Sequence, residues 1–366
     1  MRNDGKKRQA DLREEIRADD CNAKRSPIAA YGHRAMSRFQ HALCAVFLLV
    51  ACQVDTPVAA QNVQLSNAES KIPPAAQAAG YNLQTFNSAF APSRFDKAAK
   101  YPSKHEWYLN NFFGGKPDRS GLTFNPDGSL TIAGAGGYNG QIATAGVKGT
   151  SWVGTAFGGG AYFEAVFKFD PKLVNTSNGW PSFWSMAIEH LAGLSSQQWV
   201  GQAAGYSHFI EADFFEYDIA QFTKPYKYGG TLHDWYGIYE KTLHRRYFIL
   251  EATCPGYCGV TSPYVRTGPR NVDWNQYHKF GFLWIPATAR TRGSATYYLD
   301  ERKLGPTQTW TQFTGQNPPP GKSTTWTYGI LDDQHIAILL GSGTGQPLTV
   351  KSVNVWQSSA AGNLVH

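Results

Sequence analysis

The sequence predicts an all-β domain, a sandwich or barrel of many strands. Three observations carry this. Apolar residues recur at every second position in several short segments, no stretch sustains a helical period, and 37 Gly and 20 Pro punctuate the chain throughout. In order, Leu122-Thr123-Phe124-Asn125-Pro126-Asp127-Gly128-Ser129-Leu130-Thr131-Ile132 reads as strand, turn, strand. Tyr162 to Phe169 alternates, with Phe163, Ala165, Phe167 and Phe169 on one face. His208 to Asp218 has strand composition, and Thr296–Leu299 and Leu348–Trp356 are further strands. The predicted folded part, residues 83–358, fits one domain.

The most informative of these segments is His208-Phe209-Ile210-Glu211-Ala212-Asp213-Phe214-Phe215-Glu216-Tyr217-Asp218. Side chains alternate along a strand, so Glu211 and Asp213 share a face, while Glu216 falls on the other one. One extra residue, a β-bulge at Phe214 or Phe215, brings Glu216 back. The result is a row of three carboxylates on one sheet face. Two acids two apart are common on an exposed strand, but Phe209, Ile210, Phe214 and Phe215 require burial on at least one side. No Lys or Arg lies between His208 and Asp218, so crowding and burial raise the pKa of some of these acids. A carboxyl that keeps its proton near neutral pH is what a general acid needs, and two carboxyls across a sugar bond suit glycoside hydrolysis.

On these residues the chain resembles glycoside hydrolase family 16, the laminarinase, lichenase, agarase and carrageenase group. Glu211-x-Asp213-x-x-Glu216 matches the bulged form of its acid motif. Gly160-Ala161-Tyr162-Phe163-Glu164-Ala165, Gly179-Trp180-Pro181-Ser182-Phe183-Trp184 and Thr231-Leu232-His233-Asp234-Trp235-Tyr236 are similar to flanking strands of that family. So are His278-Lys279-Phe280-Gly281-Phe282-Leu283-Trp284-Ile285-Pro286, Tyr297-Tyr298-Leu299-Asp300 and Val353-Asn354-Val355-Trp356. They follow in the family's order from about Phe86 to Gln357. Departures are Ala212 in place of Ile or Leu, Val166 where Arg is common, and Phe280 in a Tyr position.

The resemblance implies a concanavalin A-like jelly-roll β-sandwich. It implies Glu211 as nucleophile, Glu216 as general acid/base and Asp213 as the acid between them, with His233 nearby. It implies a retaining endo-glycosidase acting on a β-1,3-glucan or β-galactan type of polysaccharide, working as a monomer without a cofactor. Some relatives hold a structural Ca²⁺; no run of acids marks such a site here, and no metal ligands are assigned.

Trp, Tyr and Phe make up 14% of the chain. Most of these fill a sandwich core, but Trp180, Trp184, Trp235, Tyr236 and Trp274 sit beside Gly and polar residues. Flat rings stack on pyranose faces, so Trp180, Trp184 and Trp235 join His233 as candidate substrate contacts. Net charge is +7, and residues 1–60 hold 10 basic and 7 acidic residues, which leaves +4 for the remainder. That balance tolerates an anionic polysaccharide. No basic run interleaved with aromatics and no zinc-finger or helix-turn-helix pattern supports nucleic-acid binding. Gly134-Ala135-Gly136 fails as a dinucleotide loop, because Asn139 stands where the third Gly belongs.

Residues 1–35 are dense in charge and poor in large apolar residues, so they read as a disordered tail. Residues 36–60 read as a secretory signal: Arg38 and His41, the apolar run Ala42–Cys52, then Val58-Ala59-Ala60 before Gln61. The run is too short for a stable membrane span, which needs about 20 residues. Leu49-Val50-Ala51-Cys52 also resembles a lipobox, so the product is either secreted or periplasmic, or lipid-anchored at Cys52. Met36 then serves as the initiator. Residues 61–82, rich in Ala, Pro, Gln and Ser, read as a linker. In an exported chain, Cys254 and Cys258 around a Pro-Gly turn are expected to form a small-loop disulfide.

Two readings compete with the hydrolase: a non-catalytic, lectin-like glycan-binding module on the same sandwich, and a transglycosylase using the same acids. A polysaccharide lyase would want Arg, His and Tyr at the cleft instead of paired acids. Amino-terminal sequencing of the exported product is expected to begin near Gln61. A lipidated start at Cys52 selects the anchored form, and a mature protein retaining residues 1–35 overturns the signal assignment.

Overall fold

The computed structural model describes residues 71–112, 117–134, 140–192, 206–218, 224–239, 248–249, 265–315 and 327–366. Two antiparallel sheets face one another across an aromatic core. The back sheet runs Arg302–Trp310, Gly293–Leu299, His278–Ile285, Ala161–Phe169, Leu348–Gln357, Leu130–Ile132, Leu122–Phe124, with Leu83–Ala89 also paired to Leu348–Gln357. The front sheet runs Phe248–Ile249, Lys227–Tyr239, Tyr206–Glu216, Ser182–Ala187, Ile336–Gly341, Ile142–Ala143, Trp107–Leu109, Phe95–Asp96. Its last pair is parallel, and Val265–Thr267 adds to Lys227–Tyr239. This is the jelly-roll β-sandwich that the resemblance implies. Among the described residues no helix is long and apolar enough to cross a membrane.

The expected strands form where alternation places them. Phe163, Ala165, Phe167 and Phe169 all enter the core. Phe280, in the Tyr position of the motif, stacks on Phe167 at 4.0 Å between centroids and 4° between planes. Removing each such ring from water contributes roughly 1.5–3 kcal/mol. His278 donates from both ring nitrogens, to the Asp300 carboxylate at 2.7 Å and to the Asp273 carbonyl at 3.0 Å, which fastens the start of its strand.

Both ends of the folded region extend beyond the sequence boundaries. Within the segment read as linker, Pro74–Ala78 is a short helix, and Ala76 and Tyr81 bury against Tyr162, Leu283 and Trp356 on the outer face of the back sheet. Pro73 and Pro74 preset the helix entry instead of marking a flexible connector. Leu364–Val365, past residue 358, pairs with Ser151–Ala156.

Glu164, on that outer face, is 3% exposed. Burial pushes its carboxyl up to about 7, against the pull of Lys279. In the unfolded chain the same group ionises near its ordinary value, so the folded chain loses stability as pH rises from about 4.5 through 7. Glu164→Gln is therefore expected to stabilise the protein by about 2–3 kcal/mol at pH 8, with the gain vanishing near pH 4. Thermal melts of both forms across that range check this.

Candidate active site

The acid-bearing strand, Tyr206–Glu216, lies between Ser182–Ala187 and Lys227–Tyr239. On the inner side Met186 pairs with Glu211, Trp184 with Asp213, and Ser182 with Glu216. On the outer side the partners are His233, Thr231 and Gly229. Three steps of the acid strand, Asp213 to Glu216, thus span two steps of its outer neighbour, Thr231 to Gly229, and the inner register shifts between Phe183 and Trp184. Phe214 is the extra residue, because Phe215 pairs with Phe183 and Asp213 with Trp184.

The bulge lets two successive Phe side chains point inward. Phe214 packs on Phe163, Phe183 and Phe282, and Phe215 on Phe167, Phe169 and Phe280. Ile210 and Ala212 are buried in the same core, so Ala212 faces away from the acids. Glu211, Asp213 and Glu216 share the opposite face. Glu211 is half-buried, Asp213 is 1% exposed and Glu216 6%.

Neighbouring side chains hold two of the acids. The Trp180 indole N–H donates to Glu216 Oε1 at 2.9 Å. The Tyr217 amide donates to the Pro181 carbonyl at 3.0 Å, which draws the Trp180 segment onto the end of the acid strand. His233 pairs in register with Glu211 but reaches diagonally, placing Nε2 3.0 Å from Asp213 Oδ2. Trp184 is 5% exposed and packs with Met186, Phe209 and Leu339, under a layer that includes Trp152 and Ala145. Little of its ring remains open to a ligand, whereas Trp180 is half-buried. Trp235 stands opposite Phe209 in register. Trp274 is a core residue, 2% exposed and donating to the Pro225 carbonyl at 2.7 Å, so it is no cleft aromatic. Cys254 and Cys258 lie outside the described residues.

On the core side of the same strands, His208 Nε2 lies 2.6 Å from Asp234 Oδ1, both fully buried. Burial pushes the Asp234 carboxyl up to about 6, opposed by His208. Polar neighbours of the Glu216 end come from remote parts of the chain. Ser182 pairs with Gly341, and a Cβ on Gly341 would meet the Gln141 side chain at 2.5 Å. Gln141 in turn accepts from Asn110 at 3.3 Å. No local pattern marks Gln141 or Asn110 in the sequence; Gly341, needed for close approach, is the trace they leave.

Among the described residues no group of three or more His, Cys, Asp or Glu is arranged to hold a metal ion. An open surface cavity of about 400 Å³, lined by Arg290, Arg292, Thr288 and Thr311 among others, involves none of the acids.

No protein-family model matches the chain, and no curated protein sequence matches it either. Among solved structures it is similar to an endo-1,3-beta-glucanase from Streptomyces sioyaensis, at 15% identity and a TM-score of 0.43, over 78% of this chain and 97% of that one. It is also similar to a legume lectin-like domain from Entamoeba histolytica, at 6% identity and 0.32, over 64% and 86%. The exoplasmic/lumenal domain of VIP36 follows at 10% and 0.29, over 65% and 81%. Likeness this distant carries no argument about chemistry.

Phe214→Ala removes a ring wedged among Phe163, Phe183 and Phe282, and is expected to cost about 3–5 kcal/mol. Denaturant unfolding measures it, and a cost below about 1 kcal/mol contradicts the packing described.

Proposed function

We propose that this chain is an exported retaining endo-glycosidase, a family 16-like enzyme cleaving internal β-linkages of a β-1,3-glucan or β-galactan type of polysaccharide. The observation that supports the reading is the bulge at Phe214, with Glu211, Asp213 and Glu216 on one sheet face and separate side chains fixing two of them.

The roles follow from those contacts. Glu211, half-buried and without a bulge beside it, attacks the anomeric carbon as the leaving sugar departs. Glu216 gives that sugar's oxygen its proton. Because Glu216 Oε1 accepts from Trp180, Oε2 carries the transferred proton. Water then attacks the glycosyl ester, its proton returns to Glu216, and the anomeric configuration is retained. Two carboxyl groups about 5–5.5 Å apart suit this double displacement. Asp213, held by His233, places a second negative charge beside the nucleophile, which disfavours the free Glu211 carboxylate and so favours its loss of charge on forming the glycosyl ester. A sugar hydroxyl in place of water turns the same intermediate to transglycosylation.

Reducing-end release from laminarin, lichenan, agarose, κ-carrageenan and xyloglucan is expected for one member of the panel, and to be lost in both Glu211→Gln and Glu216→Gln. Azide is expected to restore turnover when Glu216 is replaced by Ala, giving a glycosyl azide of retained configuration, whereas any azide product of the Glu211→Ala variant has inverted configuration, because azide then attacks in place of the nucleophile. Binding to a polymer without cleavage assigns the lectin function instead; rescue of neither variant overturns the roles.

A further inference from the structure

Three acids crowd one face of the front sheet, and their own strand offers no cation between His208 and Asp218. A cation reaches them from behind. Val265–Thr267 pairs with the outer edge of Lys227–Tyr239, with Arg266 opposite Tyr228. The Arg266 side chain turns into the sandwich and is fully buried. Its Nε donates to the Gly230 carbonyl at 2.9 Å, and the guanidinium lies 3.7 Å from the Tyr297 ring centroid.

Gly230 stands between Gly229, paired with Glu216, and Thr231, paired with Asp213. The guanidinium is therefore held against the backbone step that spans the two acids, on the opposite side of the sheet. Glycine makes this approach feasible: a Cβ at position 230 would lie 2.8 Å from Arg266 Cγ and 3.0 Å from Tyr297 Cδ1. Among the described residues Arg266 forms no ion pair with a carboxylate; beyond the Gly230 carbonyl its side chain meets the neutral Tyr297 hydroxyl. A buried cation that no contact carboxylate neutralises projects its field across the sheet, where screening by water is weak. The Tyr297 hydroxyl senses both charges, since Arg266 and Asp213 act on it in opposite directions.

We propose that Arg266 is a positioning residue of the acid row, a buried counter-charge behind the sheet that favours the ionised form of Asp213 and so sets the charge beside the nucleophile. Its kinetic consequence rests on the glycosidase reading; its electrostatic consequence does not. The groups facing Arg266 are the hydroxyls of Tyr228 and Tyr297, with Asp300 acting on Tyr228 from further out. The acids themselves are flanked by Glu211 on their own strand and Asp218 just past its end, by His233 on the outer neighbour, and by Trp180, which carries no charge. Across one or two strand spacings, about 5–10 Å, one unit charge in a partly polar interior moves a carboxyl by about one pH unit.

The experiment is a carboxyl ¹³C NMR titration of the full folded chain, labelled at Asp and Glu, with Glu216→Gln and Asp213→Asn spectra assigning the signals. Arg266→Met is expected to raise the Asp213 midpoint by about one pH unit. Arg266→Lys, which keeps the charge, is expected to retain at least half of the wild-type depression. On a polysaccharide that the wild type cleaves, the acidic limb of the kcat/KM profile moves to higher pH in Arg266→Met as Asp213 takes up its proton earlier, a change that a merely structural role would not produce. A folded Arg266→Met whose Asp213 midpoint stays put overturns the proposal. Where that variant does not fold, the wild type decides by salt: a buried counter-charge leaves the Asp213 midpoint unmoved up to molar salt, and a midpoint that climbs with salt places the field at the surface and overturns it. If no polymer is cleaved, the glycosidase reading fails while the titrations still judge Arg266.

Discussion

A single inserted residue in the acid strand governs how the front sheet is built. Without Phe214 as the extra residue, regular alternation would turn Glu216 into a core filled by Phe163, Phe167, Phe280 and Phe282. An unpaired carboxylate there costs several kcal/mol, more than a bulge, whose loss is one ladder position. The bulge also lets Phe214 and Phe215 both enter the core, so the apolar side gains a ring where the polar side gains an acid. Both neighbouring strands record the shift: the inner between Phe183 and Trp184, the outer between Asp213 and Glu216.

Around that step the two faces of the sheet have different tasks. The core face is aromatic and tightly stacked, and it holds the strand rigid over the length where the acids stand. The other face is polar but largely closed: Asp213 and Glu216 are nearly buried, and each has a nitrogen-bearing neighbour from a different strand or loop. Trp184 and Met186 belong to a second apolar layer with Phe209 and Trp152 that covers the inner part of this face. The acids thus sit at a border between water and two apolar layers, where charges interact more strongly than at an open surface.

Arg266 and Gly230 show the same economy from the core side. A cation deep in a sandwich is unfavourable unless something gains from its field, and glycine at 230 clears the room it occupies. The pair His208–Asp234 lies on that side as well, with Asp234 four residues along its strand from Gly230. Charged side chains therefore stand on both faces of this strand pair, and Gln334, bonded to the Ile210 amide and the His208 carbonyl, is a further polar group buried there.

Much of this was legible in the chain itself. Alternation in Tyr162–Phe169 identified a core strand, the odd spacing from Asp213 to Glu216 required a bulge, and Ala212 was placed away from the acids, all because period-2 geometry is local. Two features misled: the Pro-rich lead-in packs as the Pro74–Ala78 helix, and Trp274 is core, since burial depends on what arrives from elsewhere in the chain. The sequence by itself determined the strand class, the bulge and the shared face of three acids. Only the tertiary structure decided which residue is extra, that His233 reaches Asp213 and Trp180 reaches Glu216, and that Arg266 lies behind them. Those contacts join residues up to 36 positions apart along the chain, Trp180 to Glu216 and Gly230 to Arg266, and no local pattern encodes which strands become neighbours.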